Sequence, residues 1–370
     1  MININEYIKG ADVSTVIEEE KAGARFFDQG VEGDLLSILK SYGFNWVRVR
    51  LWNDPYSAEG EAYGAGTNDL PKLIEISRRA KNIGFKVLLC LHYSDFWADP
   101  GKQTMPKAWR GLTVPELITA VHDYTRDVLE AMGKEGVPPD MVAVGNELTN
   151  GLLWPLGLKP EFDNIASFVS AGIKACREFD ASIPVMIHLD NGGNNPMYIE
   201  WFDNFIKRGE DFDVIGLSYY PFWHGTMDQL EFNMRDIEKR YGKQTVVAEV
   251  STGFTMEDYA SYEKLAPSER KGFATRKELA EKVEYPLTVE GQCEFMKEFM
   301  KRSSDSDLNK GFFYWEPGWV PVPGVGWATD PALEYTGEKG PGGNEWANQA
   351  LFDYDGNALP ALKVIKDYAK

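Results

Sequence analysis

The sequence predicts an α/β protein whose strands close into a (β/α)8 barrel, also called a TIM barrel. Eight short apolar runs occur along the 370 residues, on average about forty residues apart, with amphipathic segments between them. A doubly wound open sheet is the alternative, but it usually has five or six strands. No GxGxxG or GxxxxGK[ST] motif follows the first run. No linker or short repeat divides the chain, so residues 1–370 are predicted to form one domain.

Strands are predicted where the short apolar runs occur, and helices where apolar residues recur on one face. Between Leu117 and Leu129, for example, the apolar residues follow the spacing of a single buried helix face. The predicted helices are residues 70–83, 114–132, 162–179 and 289–300. The predicted strands are residues 7–11, 45–51, 85–92, 141–145, 184–189, 213–219, 244–250 and 311–315.

The longest irregular segments each follow a predicted strand. In a barrel this places them at the C-terminal face, where active sites are built. Loops of such length within a compact domain are more often functional than idle. Their aromatic and charged content predicts that they form an open, extended cleft. These segments are residues 53–68, 94–113, 251–286 and 317–344.

The composition restricts the function. The formal net charge of −18 argues against nucleic acid as a partner, because phosphates would be repelled. No run of eighteen apolar residues occurs, so we expect no membrane span. Aromatic residues make up 13% of the chain and include eleven Trp, which suits a cleft that stacks on sugar rings. The three Cys are far apart and lack CxxC spacing, so neither a disulfide framework nor a zinc site is predicted.

Two glutamates occupy the ends of predicted strands. Glu147 follows the fourth strand and Glu249 lies at the tip of the seventh. A single glutamate there is more often a solvated or ion-paired residue. Two of them, on strands three apart around a barrel, project into the same mouth. Paired carboxylates that flank a bond are what glycoside hydrolysis requires.

Seven segments, spread over nearly the whole chain in barrel order, accompany these glutamates. They are Lys9-Gly-Ala-Asp-Val-Ser14, Val47-Arg-Val-Arg-Leu-Trp52, Leu91-His-Tyr-Ser-Asp-Phe-Trp-Ala-Asp-Pro100, Val144-Gly-Asn-Glu147 with Gly151-Leu-Leu-Trp-Pro155, Ile187-His-Leu-Asp-Asn-Gly192, Gly216-Leu-Ser-Tyr-Tyr-Pro-Phe222 and Phe313-Tyr-Trp-Glu-Pro317. In these segments the chain resembles the clan A glycoside hydrolases, and more specifically glycoside hydrolase family 53, the endo-β-1,4-galactanases.

The resemblance implies a retaining endo-β-1,4-galactanase that hydrolyses the galactan side chains of pectic (type I) arabinogalactan. It implies that Glu147 is the acid/base and Glu249 the nucleophile, and that Asn146 binds the sugar 2-hydroxyl. Two alternatives are a barrel that only binds polysaccharide and a clan A hydrolase of another β-1,4-linked hexose. A metal-dependent barrel enzyme is a further alternative, but the chain has only four His.

Arginines and a tyrosine are predicted beside the nucleophile. Arg48 and Arg50 alternate with apolar residues, so both point to one face of the second strand. Cations inside a barrel need anions, and Glu249 is the expected partner, which would keep the pKa of this carboxyl low. The resemblance assigns this contact to Arg48, while Arg50 is open to a role in loop structure. Tyr220 shares the inward parity of the sixth strand and is expected to hold Glu249, with Tyr219 as second choice.

Further substrate-binding candidates lie at the other strand ends. Trp315 matches the platform beneath the reacting sugar, and carboxylates accept hydrogen bonds from sugar hydroxyls. His92 is equally open to a structural role. The tryptophans of the long loops are expected at the rim, where packing of a loop is an equally good interpretation. These candidates are His92, Asp95, Trp97, Asp190, Trp223, Trp315 and Trp319.

No organic cofactor is expected, because acid, nucleophile and water suffice. Several bacterial relatives bind calcium after the nucleophile, but residues 256–264 lack alternating Asp and Asn ligands. We therefore predict no metal, with Glu257 and Asp258 as weak candidates for calcium. The expected partner is galactan or a galacto-oligosaccharide, bound by a monomer. The resemblance implies an extracellular or cell-surface location, and the absence of a signal-peptide pattern leaves a cytoplasmic one open.

Overall fold

The computed structural model describes residues 4–259, 277–340 and 342–369. Within them, eight parallel strands form a closed barrel, and each strand pairs with its two neighbours in sequence, the last with the first. The predicted (β/α)8 class is therefore confirmed. The strands are β1 Ile8–Asp12, β2 Trp46–Leu51, β3 Lys86–Leu91, β4 Met141–Val144, β5 Val185–Leu189, β6 Val214–Tyr219, β7 Gln244–Val250 and β8 Asn309–Tyr314.

All eight predicted strands lie on observed strands, and β7 has the predicted bounds. Its residues are all buried, so it appears in the sequence as a continuous apolar run. In contrast, β8 begins at Asn309, two residues before the predicted start. The Asn309 side chain donates to Thr245 and accepts from the Gly311 backbone N–H. Polar groups that satisfy one another in this way leave no apolar signal.

Helices surround the barrel, and the four predicted ones are confirmed as Leu70–Asn82, Val114–Lys134, Phe162–Phe179 and Val289–Ser303. The second of these begins where Thr113 and Glu116 form a capping box. No described helix is long and apolar enough to cross a membrane. Other described helices are Val16–Lys21, Leu35–Ser41, Asn195–Ile206, Met227–Tyr241, Lys277–Ala280, Asp330–Thr336 and Ala361–Asp367, and short 3-10 turns are Lys107–Trp109, Leu148–Asn150 and Ala347–Gln349.

A small hairpin was not predicted. Its strands, Phe26–Asp28 and Val31–Gly33, are antiparallel and have three residues each, too few for an alternating pattern to show. The turn between them has positive φ at Gln29 (50°) and Gly30 (79°), as a two-residue hairpin turn requires.

Apolar side chains fill three zones. The largest lies between the strands and the helices, and a second fills the lower part of the barrel interior, around Trp46, Met186 and Phe313. The third is an aromatic cluster at the C-terminal ends of the strands, which includes Tyr220, Trp315, Trp319 and Trp327. Charged side chains such as Arg48 and Glu249 enter the barrel beneath this cluster, and they build the site described next.

Candidate active site

An open cleft of about 570 Å³ lies at the C-terminal ends of the strands. Ten of the twelve residues predicted for the site line it, and the two exceptions are Asp95 and Trp319. The ten residues are Arg48, His92, Trp97, Asn146, Glu147, Asp190, Tyr220, Trp223, Glu249 and Trp315.

Glu147 reaches the cleft through a tight turn after β4. Gly145 has a φ of +88°, and a Cβ there would lie 2.6 Å from the Leu148 side chain, so only glycine fits. Glu147 itself has a φ of +50°, a conformation that is costly for a residue with a side chain. This strained turn places the carboxyl group under the cleft, where its Oε1 lies 2.6 Å from the Ser218 hydroxyl.

Glu249 lies in β7 and is held by two donors. Arg48 Nη2 donates to Oε1 at 2.7 Å, and the Tyr220 hydroxyl donates to Oε2 at 2.6 Å. The pairing of β6 with β7 shifts register just before Ser218, which faces Glu249. Such an irregularity re-aims side chains beside active sites. Tyr219, the second choice for this contact, points outward and stacks on Phe295 and Phe299.

The two carboxyl groups have different electrostatic surroundings. Burial raises the pKa of Glu147 well above its ordinary value, and the nearby Glu249 and Asp190 carboxylates raise it further. Burial also raises the pKa of Glu249, while Arg48 and Tyr220 lower it. The expectation that Arg48 keeps this pKa low is thus wrong, because the guanidinium only offsets part of the cost of burial. The contrast still favours a protonated Glu147 beside an ionised Glu249.

The two glutamates are close together. Oxygens of Glu147 and Glu249 and a ring nitrogen of His188 all lie within 4.8 Å of one another. A metal ion could in principle use these atoms, but they already have partners. His188 lies against Asn146 and Ser218 through its two nitrogens, and both Glu249 oxygens accept hydrogen bonds. The arrangement therefore suits acid/base and nucleophilic chemistry better than metal binding.

A buried network of ion pairs lies beside Glu249. Arg48 Nη1 donates to Asp12 at 2.5 Å, and Arg50 Nη1 donates to Glu316 at 2.5 Å and to Asp12 at 3.4 Å. Neither acid was predicted. Asp12 ends β1 and Glu316 follows β8 by two residues, so the criterion that found Glu147 and Glu249 would have found both.

His92 presents one ring nitrogen to the cleft. Its Nδ1 accepts from Trp52 Nε1 and from the Ala98 backbone N–H, both at 3.2 Å. Burial and the two arginines lower its pKa well below the ordinary value, so the ring is neutral with the proton on Nε2. Nε2 is buried and has no partner in the described part of the chain. This N–H is placed to donate a hydrogen bond to a sugar hydroxyl in the cleft.

Aromatic rings line much of the cleft. Trp315 lies 4.8 Å from Trp346 between ring centroids, and Trp97 lies 4.4 Å from the Arg50 guanidinium. Trp223 is 47% exposed and lines the cleft, so a sugar in the cleft can contact its ring. Trp346 and Trp327 also line the cleft but were not predicted. Both lie far from a strand end in sequence, so only the path of the chain after β8 brings them there.

Two predicted residues do not reach the cleft. Trp319 is completely buried, with its ring beneath Trp97 and Trp315, so the expectation that it lies at the rim is wrong. Asp95 is also buried, and its oxygens accept from the backbone N–H groups of Asp54 and Lys107 at 3.0 and 2.6 Å. It therefore joins two loops instead of facing a ligand, because loop backbone groups need partners.

Asp190 does face the cleft and accepts from the Thr149 hydroxyl. Burial raises its pKa to about 6. The calcium candidates Glu257 and Asp258 are described, but residues 260–276 lie outside the described part, so the prediction of no metal there stays a prediction.

Several known proteins are similar to this chain in sequence and in structure. The sequence profile of glycosyl hydrolase family 53 matches residues 8–365. An endo-β-1,4-galactanase of Bacillus subtilis (strain 168) is 38% identical over 98% of this chain and 86% of its own length. An arabinogalactan endo-β-1,4-galactanase of Humicola insolens is 31% identical over 96% of this chain and 98% of its own. The solved family 53 catalytic domain of Ignisphaera aggregans superposes with a TM-score of 0.89 at 39% identity, over 99% and 98% of the two chains.

Proposed function

The chain belongs to glycosyl hydrolase family 53, and we propose that it is a retaining endo-β-1,4-galactanase acting on the galactan side chains of pectic (type I) arabinogalactan. The observation that carries the proposal is the position of Glu147 and Glu249 at the floor of an open cleft, where one oxygen of each lies within 4.8 Å of the other. Retaining enzymes separate their carboxyl groups by about 5–5.5 Å and inverting ones by about 6.5–9.5 Å. The names of the two galactanase relatives support the substrate.

The reaction needs two steps. Glu147 donates its proton to the glycosidic oxygen while a Glu249 oxygen attacks the anomeric carbon, so the bond to the leaving chain breaks and a glycosyl-enzyme ester forms. Glu147, now a carboxylate, then takes a proton from water, and the water oxygen displaces Glu249. Both carboxyl groups return to their starting states, which requires one glutamate that readily gains and loses a proton beside one that stays ionised.

Neighbouring side chains prepare the site for these steps. Arg48 and Tyr220 occupy both oxygens of Glu249 and so fix its direction of attack. The Asn146 amide donates one hydrogen to the Ala98 carbonyl at 2.9 Å and has a second hydrogen for the sugar 2-hydroxyl. Such a bond strengthens as the transition state develops. The ring of Trp315 would stack against the reacting sugar.

We also propose that attack occurs within the galactan chain. The cleft is lined by Trp97, Trp223 and Trp346 in addition to Trp315, so several sugars could lie across it at once. The proposal needs no organic cofactor and no metal. It assumes a monomer, since all the named groups come from one chain, and it assumes no nucleic-acid partner at a net charge of −18. A polymeric substrate that cannot cross a membrane favours an extracellular or cell-surface location.

Release of reducing sugars from pure galactan, compared with cellulose and mannan, tests the substrate. We expect release from galactan alone, with a mixture of short products early in digestion. Release from mannan or cellulose instead would favour the hydrolase of another hexose. Binding to galactan without any release would favour the non-catalytic barrel. Galactose as the sole early product would contradict attack within the chain.

A further inference from the structure

Two buried side chains behind Glu147 take no part in the two reaction steps. His188 and Ser218 are completely buried in β5 and β6 and connect Glu147 to Asn146. His188 Nδ1 lies 3.0 Å from Asn146 Oδ1, His188 Nε2 lies 2.8 Å from Ser218 Oγ, and Ser218 Oγ lies 2.6 Å from Glu147 Oε1. The four side chains thus form one continuous path of hydrogen bonds.

The direction of the first bond is fixed by Asn146. Its Oδ1 accepts from Arg48 Nη2 at 2.7 Å, and its Nδ2 donates to the Ala98 carbonyl at 2.9 Å. A reversed amide would place Nδ2 against a guanidinium and Oδ1 against a carbonyl, so the orientation is settled. Since Oδ1 can only accept, His188 must carry a proton on Nδ1.

The charge state of His188 follows from its surroundings. Burial, Arg48 and His224 lower its pKa well below the ordinary value, so the ring is neutral. With its single proton on Nδ1, the ring offers only a lone pair at Nε2. Nε2 therefore accepts, and the group able to donate to it is the Ser218 hydroxyl.

Ser218 has one proton and two neighbours that can accept it. When Glu147 is ionised, the carboxylate and His188 Nε2 compete for that proton, and one of them stays without a donor. When Glu147 is protonated, it donates to Ser218 and Ser218 donates to His188, so every group has a partner. A buried polar group without a partner is costly, so the path favours the protonated acid.

We propose that His188 and Ser218 are positioning residues that hold Glu147 in its protonated form in the resting enzyme. The proposal rests on the assignment of Glu147 as the acid/base. The path acts together with the other titratable or charged groups around it, which are held constant in the experiments below. Around Glu147 these are Asp99, Asp190, Tyr198, Tyr220 and Glu249, and around His188 they are Arg48, His92 and His224.

The tautomer of His188 can be read in the unaltered protein. The chain has four His, so nitrogen-15 labelling of histidine gives few signals. We expect the proton of His188 on Nδ1. His92 is the internal control, because its Nδ1 accepts two N–H groups and its proton must lie on Nε2. A proton on Nε2 of His188 would overturn the proposal, since Ser218 would then be free to stabilise the carboxylate.

Two substitutions test the effect on Glu147. His188→Leu removes the competing acceptor, so Ser218 can donate to the carboxylate. The basic limb of the kcat/KM profile should then move to lower pH by about one unit, the equivalent of one hydrogen bond. His188→Gln presents an amide N–H to Asn146 and a carbonyl to Ser218, so its limb should stay in place. A merely structural role would lower kcat in both variants without moving the limb.

The control is His122→Leu, which removes an imidazole on the helix Val114–Lys134, away from this path, so the basic limb of this variant should not move. A limb unmoved in His188→Leu, or moved equally in His188→Gln, would overturn the proposal. Carbon-13 NMR can follow the titration of the Glu147 carboxyl in the same variants without substrate. The signal of Glu147 is assigned by its absence in Glu147→Gln. A protein inactive on galactan whose Glu147 still titrates as expected would refute the galactanase function and leave the proposal standing.

Discussion

The two glutamates at the cleft floor have different surroundings. On the β7 side, Glu249 has a donor on each oxygen, and Arg48 connects it to the buried acid Asp12. On the β4 side, burial and the nearby Glu249 and Asp190 carboxylates oppose the ionisation of Glu147. Chemically identical glutamates can thus serve as nucleophile and proton donor, because their roles are set by what surrounds them.

Loss of either glutamate is the strongest test of this asymmetry. Glu249→Ala should abolish turnover of every substrate, since no covalent intermediate can form. Glu147→Ala should slow galactan cleavage about 100- to 10,000-fold, the usual contribution of a general acid. On an aryl galactoside with an acidic leaving group, the Glu147 variant should keep its intermediate-forming step, measured as a burst of released phenol. Equal losses on that substrate would contradict the two roles.

Substitution of Arg48 should have a smaller effect on activity than loss of a glutamate, and it should also change the pH dependence of kcat/KM. Arg48→Met removes the Arg48 ion pair from two buried carboxylates, Asp12 and Glu249, which typically costs about 3–5 kcal/mol of folding free energy, measured by urea unfolding. Arg48 lowers the pKa of Glu249, so its removal should move the acidic limb of kcat/KM to higher pH. The matched control is Arg240→Met, which breaks an exposed pair with Asp203 and should change stability by about 1 kcal/mol or less.

Part of this asymmetry was readable in the sequence. Strand ends located both glutamates, and alternation along β2 and β6 placed Arg48 and Tyr220 on the inner face. Strand periodicity could not follow the loops, however. Trp319 was expected at the rim because it lies in a long loop after a strand, and Trp346 was missed, although both follow β8. A periodic element fixes the direction of a side chain, while an irregular segment fixes it through contacts that are distant in sequence.

Substitution of Asp190 should have a milder effect, through the pKa of Glu147. Its pKa is raised to about 6, so it is a carboxylate above that pH and opposes ionisation of Glu147. Asp190→Asn should therefore let Glu147 ionise more readily and move the basic limb of the rate profile to lower pH. Below about pH 6, where Asp190 is protonated in the unaltered protein, the two profiles should have the same shape. A basic limb at higher pH in the variant would contradict the role of Asp190.

The smallest expected effect lies outside the asymmetric floor, at Trp223. This ring is 47% exposed and lines the cleft, so it can stack on a sugar remote from the cut. Binding energy from such a position can be used at the reacting centre, so longer substrates should gain more from it. Trp223→Ala should lower kcat/KM about fivefold on long galacto-oligosaccharides, the equivalent of one aromatic contact, and less on the shortest ones.

Phe232→Ala is the control for Trp223→Ala, because it removes an exposed ring that cannot stack on a sugar in the cleft. Phe232 is 61% exposed on the helix Met227–Tyr241 and does not line the cleft, so Phe232→Ala should leave the dependence on chain length unchanged. Trp319→Ala should instead destabilise the fold by about 3–5 kcal/mol, because it empties a buried site. If Trp223→Ala slows short and long substrates equally, the ring only supports the loop, and binding beyond the floor must depend on Trp97 and Trp346.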